Sequence, residues 1–289
     1  MREFPRSLEG NLVGLSTFAV LVWLTSLLAG LLGALTGLGG GVVIVPVLAL
    51  LFHVDLRYAI GASLVSVIAT SSGAAAAYVR EGFSNVRIGI FLEVATTLGA
   101  LLGAYLTAKI STHAVAVLFG AVLIYSAWSS LQLKHVEPTH HPSVLARKLK
   151  LIGDYPTRSG RKEYSAENVP AGFGIMFVAG TISGLLGIGS GAVKVLAMDR
   201  AMKLPFKVST TTSNFMIGVT AAASAGVYLS RGYIAPGLAA PVMLGVLIGS
   251  LIGSRLLVKM QVRVLRMIFA VVIVALGLEM ILSGFTGKL

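Results

Sequence analysis

Apolar runs separated by short polar breaks occupy most of this chain, and they form two matching series. The first is Leu12–Thr36, Gly41–Phe52, Tyr58–Val79, Val86–Ala108 and Ala114–Leu131; the second is Ala171–Leu186, Ala192–Met202, Val208–Leu229, Pro236–Val258 and Val262–Phe285. The last three of each series are long enough to cross a bilayer as helices, which takes about 20 apolar residues. Gly41–Phe52 and Ala192–Met202 are too short. At ~1.5 Å per residue each covers roughly half of a ~30 Å hydrocarbon core. The pattern predicts an all-α membrane protein, a polytopic helical bundle.

The two series are one sequence written twice. Adding 150 to a residue number carries Gly30, Gly37, Gly39 and Gly41 onto Gly180, Gly187, Gly189 and Gly191. The same offset carries Ser63 onto Ser213, Thr70 onto Thr220, Tyr78 onto Tyr228, and Gly99 and Gly103 onto Gly249 and Gly253, with no gap from Gly30 to about Val122. An internal repeat in a polytopic chain points to transporter-type architecture; a duplicated structural unit without transport is the alternative.

Two arrangements fit the short segments. Each can be the return arm of a re-entrant hairpin, leaving three full crossings per half and the halves inverted. Each can instead continue the preceding segment as a broken helix, giving four crossings and parallel halves. Lys and Arg gather on the cytoplasmic side, which separates the two. With the basic stretch 134–169 inside, the inverted arrangement puts 16 of the 23 Lys and Arg residues inside and six outside, leaving Lys194 in the membrane. The parallel arrangement gives 13 and nine. The expectation is therefore two inverted repeats, each a glycine-tipped re-entrant hairpin plus three spanning helices, with both termini outside. The divisions are 1–133 for the first repeat, 134–169 for a cytoplasmic linker and 170–289 for the second repeat.

Composition removes alternatives. Charged residues make up 12% of the 289, against roughly 25% in a soluble domain, and mean hydropathy is +0.89. Without cysteine there is no disulfide, thiolate metal site or Cys nucleophile. The net charge of +12 falls mostly on loops that would face an anionic leaflet, so no nucleic-acid partner is expected. Arg2 and Arg6 ahead of an apolar stretch resemble a signal peptide, but the stretch is long and its second half belongs to the repeat, so it is expected to be retained.

Chemistry concentrates at the glycine motifs, Gly37, Gly39, Gly40 and Gly41 in the first half and Gly187, Gly189, Ser190 and Gly191 in the second. Irregular backbone at membrane depth is tolerated only where protein buries it or where it lines a cavity. Each motif directly precedes a short helix, whose start carries free N–H groups and a partial positive charge. Two such starts meeting at the midplane make an anion site; tight packing of hairpin arms is the plainer reading. Lys194 stands in the first turn of the second short helix, where its repeat mate is Ile44. It serves a bound anion, snorkels along a cavity wall or pairs with a buried carboxylate such as Glu93. Ser63, Ser66 and Thr70 on one helix face, and Ser213 and Asn214 within VSTTTSNF, offer neutral donors; such groups also bond back to their own helix. Glu93 is a candidate for proton coupling or a headgroup-zone residue. Gly99–Gly103 and Gly245–Gly249–Gly253 read as helix-packing faces.

In the linker, Val144, Leu145, Leu149 and Ile152 can share one face of an interfacial helix. His135, His140 and His141 lack carboxylate or Cys partners at metal-ligand spacing, so no metal or other cofactor is expected. No nucleophile–base pair appears, which counts against an intramembrane enzyme.

The paired stretches GLLGALTGLGGGVVIVPVL and GTISGLLGIGSGAVKVLAMD, with KLPFKVSTTTSNFMIGVTAAASAGVYLSRGYI, resemble the sulfite exporter TauE/SafE family, also called the toluene sulfonate uptake permease family. The resemblance covers nearly the whole chain. It implies a multi-pass cell-membrane (inner-membrane) transporter for sulfite, sulfonates or related sulfur anions, with a proton or sodium ion as a candidate coupling ion. Direction and oligomeric state stay open, and an anion channel is the near alternative. Family members often carry proline where the first copy has Pro46; the second copy has Leu196, so the second short helix is expected to differ in shape.

Overall fold

The computed structural model describes residues 12–36, 40–80, 84–131, 143–157, 160–257 and 262–287. The first half holds α1 (Leu12–Thr36), α2 (Gly41–Leu50), α3 (Leu56–Arg80), α4 (Val86–Leu106) and α5 (Thr112–Leu131). The middle holds α6 (Val144–Lys148) and the antiparallel strands β1 (Ile152–Thr157) and β2 (Gly160–Ser165). The second half holds α7 (Val169–Leu186), α8 (Gly191–Leu196), a π-helical turn (Ala197–Ala201), α9 (Phe206–Ser230), α10 (Pro236–Leu257) and α11 (Val262–Thr286). Each apolar segment is helical. Among the described residues α1, α4, α7 and α10 are long and apolar enough to cross a membrane. The helices α3 and α9 are 25 residues each, but Ser and Thr dilute their hydropathy.

Two features depart from expectation or refine it. The single helical face of Val144, Leu145, Leu149 and Ile152 does not form: the helix stops at Lys148, Lys150 turns the chain at φ +52°, and Ile152 opens β1. A left-handed residue cannot continue the helical ladder. Among the described residues the regular structure is thus helical apart from this hairpin. The two short helices also differ: α2 runs through Pro46, whereas α8 ends at Leu196 and the chain widens into the π turn.

Small residues set how the long helices pack. Gly99 and Gly103 of α4 sit against the Phe177 and Thr181 backbone of α7, and Gly180 and Gly184 of α7 sit against Thr96 and Ala100. Residue numbers rise together, so α4 and α7 run parallel. Gly245 and Gly249 of α10 meet Trp23 and Leu27 of α1 in the same sense, also parallel. By contrast α3 and α9 are antiparallel, with Ser71 against Gly218 at one end and Tyr58 against Tyr233 at the other. The pair α5 and α11 is antiparallel too, since Gly120 meets Gly277 and Gly284 meets His113 and Val117. Exchanging the halves maps α1–α10 onto α4–α7 and leaves α3–α9 and α5–α11 in place.

Both short helices double back. Gly40 folds onto Gly30, and Phe52 beyond α2 stacks edge-on at 5.6 Å against Phe18 near the start of α1. Beyond α8, the Met202 carbonyl accepts from the Glu167 amide at 3.0 Å, just before α7, and Lys203 pairs with Glu167 at 3.0 Å.

The linker hairpin is docked rather than loose. Asn85 caps α4 by accepting from the Ile88 amide at 3.0 Å, and its Nδ2 donates to the buried Tyr164 hydroxyl at 2.9 Å. Burial pushes the Tyr164 phenol above its ordinary 10.0, against the Asn85 bond and helped by Asp154. The folded phenol therefore holds its proton to higher pH than the unfolded one, so its contribution is full below pH 10.0 and is lost as pH rises past it. Tyr164→Phe should cost about 1 kcal/mol and flatten the alkaline decline in melting temperature measured in detergent.

Candidate functional site

The second glycine motif is built for a sharp reversal. Gly187 and Gly189 take φ +68° and +71°, and Ser190 sits left-handed at +46°. Glycine adopts these angles freely, whereas Ser190 is strained there. The whole stretch 183–191 is buried. In the first motif Gly40 and Gly41 are described and buried; Gly37 and Gly39 lie outside the described residues.

The two motifs come together. The space before the Gly41 α-carbon is bounded by Ser63 Oγ, Val67 and the Gly187 carbonyl. Ser63 Oγ donates to that carbonyl at 2.9 Å. Val67 also borders Gly189, so both short helices begin around one side chain. On the other side Ser213 Oγ donates to the Gly191 carbonyl at 3.4 Å, and Ile217 packs on Gly189 and Gly191. Ser190 Oγ is buried and has no hydrogen-bond partner among the described residues. Ser63→Ala should cost about 1 kcal/mol, the net value of one buried hydrogen bond, read as a lower melting temperature.

The other candidates sort by position. Thr70 turns back on its own helix, donating to the Ser66 carbonyl at 3.0 Å, and Asn214 is half-buried on α9. Lys194 is fully buried and donates to Thr220 Oγ1 at 2.5 Å. Thr220 in turn donates to Glu93 Oε1 at 2.6 Å, and Thr97 donates to the same oxygen at 3.2 Å. The carboxylate alternative for Lys194 is thus realised through a hydroxyl bridge joining α8, α9 and α4. Glu93 is buried. His135, His140 and His141 lie outside the described residues.

Sequence reasoning missed two groups. Thr220 entered only as the repeat mate of Thr70, and nothing local marks it as a bridge. Tyr228 donates to Thr107 Oγ1 at 3.0 Å and lies 3.3 Å from the Gly184 carbonyl, which ties α9 to the α4 end and to α7 near its tip.

Comparison with known proteins places the chain in a family. The sulfite exporter TauE/SafE family matches residues 22–280. The probable membrane transporter protein YunE of Bacillus subtilis (strain 168) is 29% identical over 275 residues, covering 93% of this chain and 98% of the relative. The probable membrane transporter protein YdhB of the same organism is 26% identical over 229 residues, covering 79% and 86%. No solved structure gives a significant match. With the family matching across both halves and the linker between them, the chain belongs to the sulfite exporter TauE/SafE family of multi-pass membrane transporters.

Proposed function

We infer that this transporter is a secondary carrier for small sulfur-containing anions, sulfite, an organosulfonate or a related oxyanion, and that it binds them between its two glycine motifs. The observation that carries this reading is the meeting of the motifs, Gly41 against the Gly187 carbonyl with Ser63 bonded across. Helix starts offer unpaired amides and positive potential to an anion. The buried Ser190 hydroxyl supplies a further donor, with Lys194 one turn away as the counter-charge.

Several relations support inverted repeats around that site. Broken, continuous helices would make α3 and α9 parallel, and α5 and α11 likewise; both pairs are antiparallel. Phe52 returns to Phe18 and Met202 to Glu167, as arms of re-entrant hairpins do. Residues 1–133 and 170–289 then form the repeats, one rocking against the other, and 134–169 the cytoplasmic linker, with both termini outside an inner membrane.

The test is uptake of sulfite, sulfate, thiosulfate and small sulfonates into proteoliposomes. Saturable flux with counterflow for at least one of them is expected. Flux linear in the gradient would mark a channel, and no flux with any member would overturn the sulfur-anion assignment.

A further inference from the structure

Glu93 and Lys194 break the repeat in the same way and meet each other. The position matching Lys194 in the first half is Ile44, and the position matching Glu93 in the second half is Met243. Thr220, which stands between them, is matched by Thr70. The uncharged set Ile44, Thr70 and Met243 occupies the corresponding positions, so the repeated fold does not require the charges. A buried pair is seldom a net stabiliser over apolar residues of similar size. Its presence calls for a reason in function.

The geometry has two positions built into it. Glu93 Oε1 carries both hydrogen bonds, from Thr220 and Thr97, while Oε2 is buried without a partner among the described residues. A proton can add at Oε2 without breaking either bond. Thr220 Oγ1 also lies 2.9 Å from the Met216 carbonyl. Its single proton can therefore point to Glu93 or to its own helix, while its oxygen accepts from Lys194 in both cases.

We propose that Glu93 is the proton-binding residue that couples anion movement to proton movement, with Thr220 as the switch between Glu93 and Lys194. With Glu93 ionised, its charge offsets Lys194 through Thr220 and the pair is neutral. A proton taken from water on the open side forms an O–H bond at Oε2. The carboxyl is then neutral, Thr220 turns to Met216, and the Lys194 ammonium is uncompensated. Lys194 lies three residues beyond Gly191, so an anion at the glycine motifs can restore the compensation. Proton and anion bind together and leave together, and the substrate class is an anion accompanied by a proton.

The charged and titratable surroundings fit one switch. From α8 Lys194 faces Glu93, and α7 carries no ionisable side chain. On α9 the ionisable groups are Lys207 and Tyr228, 13 residues before and eight after Thr220; Tyr228 is engaged with Thr107. On α4 itself Arg87 and Tyr105 stand near the two ends. Asp199 lies on the π turn, five residues beyond Lys194, and α5, which packs on α8, carries His113 and Tyr125.

This rests on the carrier reading above, and two readouts separate their failures. Infrared difference spectra of purified wild type and Glu93→Gln, titrated without any anion, should show a protonated-carboxyl stretch that is absent in the variant. In voltage-clamped proteoliposomes loaded with a pH dye, uptake of thiosulfate or methanesulfonate should acidify the lumen. Where the protonated form is scarce, apparent anion affinity should fall about tenfold per pH unit. In Glu93→Gln, assayed at a temperature where the variant, destabilised by the unpaired Lys194, is still folded, the acidification and this pH dependence should both vanish. Transport by wild type with no lumenal pH change, or an unaltered pH dependence in Glu93→Gln, would overturn the proposal and leave the carrier intact. If neither anion moves, the infrared arm still decides: no titrating carboxyl assigned to Glu93 overturns it, and one that disappears in the variant supports it.

Discussion

Replacing Lys194 by isoleucine is expected to destabilise the protein by about 3–5 kcal/mol, the usual cost of removing one member of a buried charge pair. Glu93 would keep its bonds from Thr220 and Thr97 but lose the positive charge behind Thr220. Lys194 has no exposed surface, so water cannot take over its role without opening the packing of α8 against α9. The double variant Lys194→Ile with Glu93→Met copies the residues at Ile44 and Met243. It should recover most of the lost stability, because apolar replacement of a whole buried pair is often neutral or favourable. Thermal or denaturant unfolding in detergent measures both. A double variant as unstable as the single would mean that Lys194 acts through something other than Glu93.

The second large effect is expected at the α4–α7 seam. Gly184→Leu should cost about 3 kcal/mol, because a β-carbon there would strike the Ala100 backbone, which has no soft end to move aside. Gly249→Leu should match it, since its added carbon would meet the Leu27 carbonyl and the Leu31 amide across the α10–α1 seam. Gly174→Leu is the control on the same helix as Gly184. Gly174 is exposed with nothing within 4 Å, and leucine is the better helix former, so stability should hold or rise slightly. Loss of folded yield for the first two alone would tie the effect to backbone contact and not to glycine content.

Much of the fold was legible because lipid leaves few options. Backbone groups must be satisfied within a segment, so an apolar run such as Pro236–Val258 becomes a helix, observed as Pro236–Leu257. The glycine faces were legible for a similar reason: Gly99 and Gly103 sit at one-turn spacing, and close approach of another backbone is the physical use of that pattern. The linker was not legible. Its apolar residues suit a helix or a strand equally, and Lys150 settles the matter by a φ angle that its residue type does not advertise. In the candidate site the glycines of the second motif mark the reversal, with Gly187 and Gly189 at positive φ. The Glu93–Thr220–Lys194 bridge was beyond sequence reading because it joins α4 to α8 and α9 across more than a hundred residues of chain, and Thr220 looks like any other helical threonine.

An anion site between the glycine motifs requires the two halves to lie upside down relative to each other, since only then do hairpins entering from opposite faces bring their glycine tips together. The chain has no native cysteine, so single-cysteine labelling tests this directly. Lys162, Arg200, Lys109 and Ser230 are all exposed. Each is replaced by cysteine in turn and challenged with an impermeant maleimide in vesicles of both orientations. Lys162→Cys and Arg200→Cys should react from one side, and Lys109→Cys and Ser230→Cys from the other. Reaction of Ser230→Cys from the Lys162 side, with Arg200→Cys opposite, would mean parallel halves and would contradict the site built between their tips.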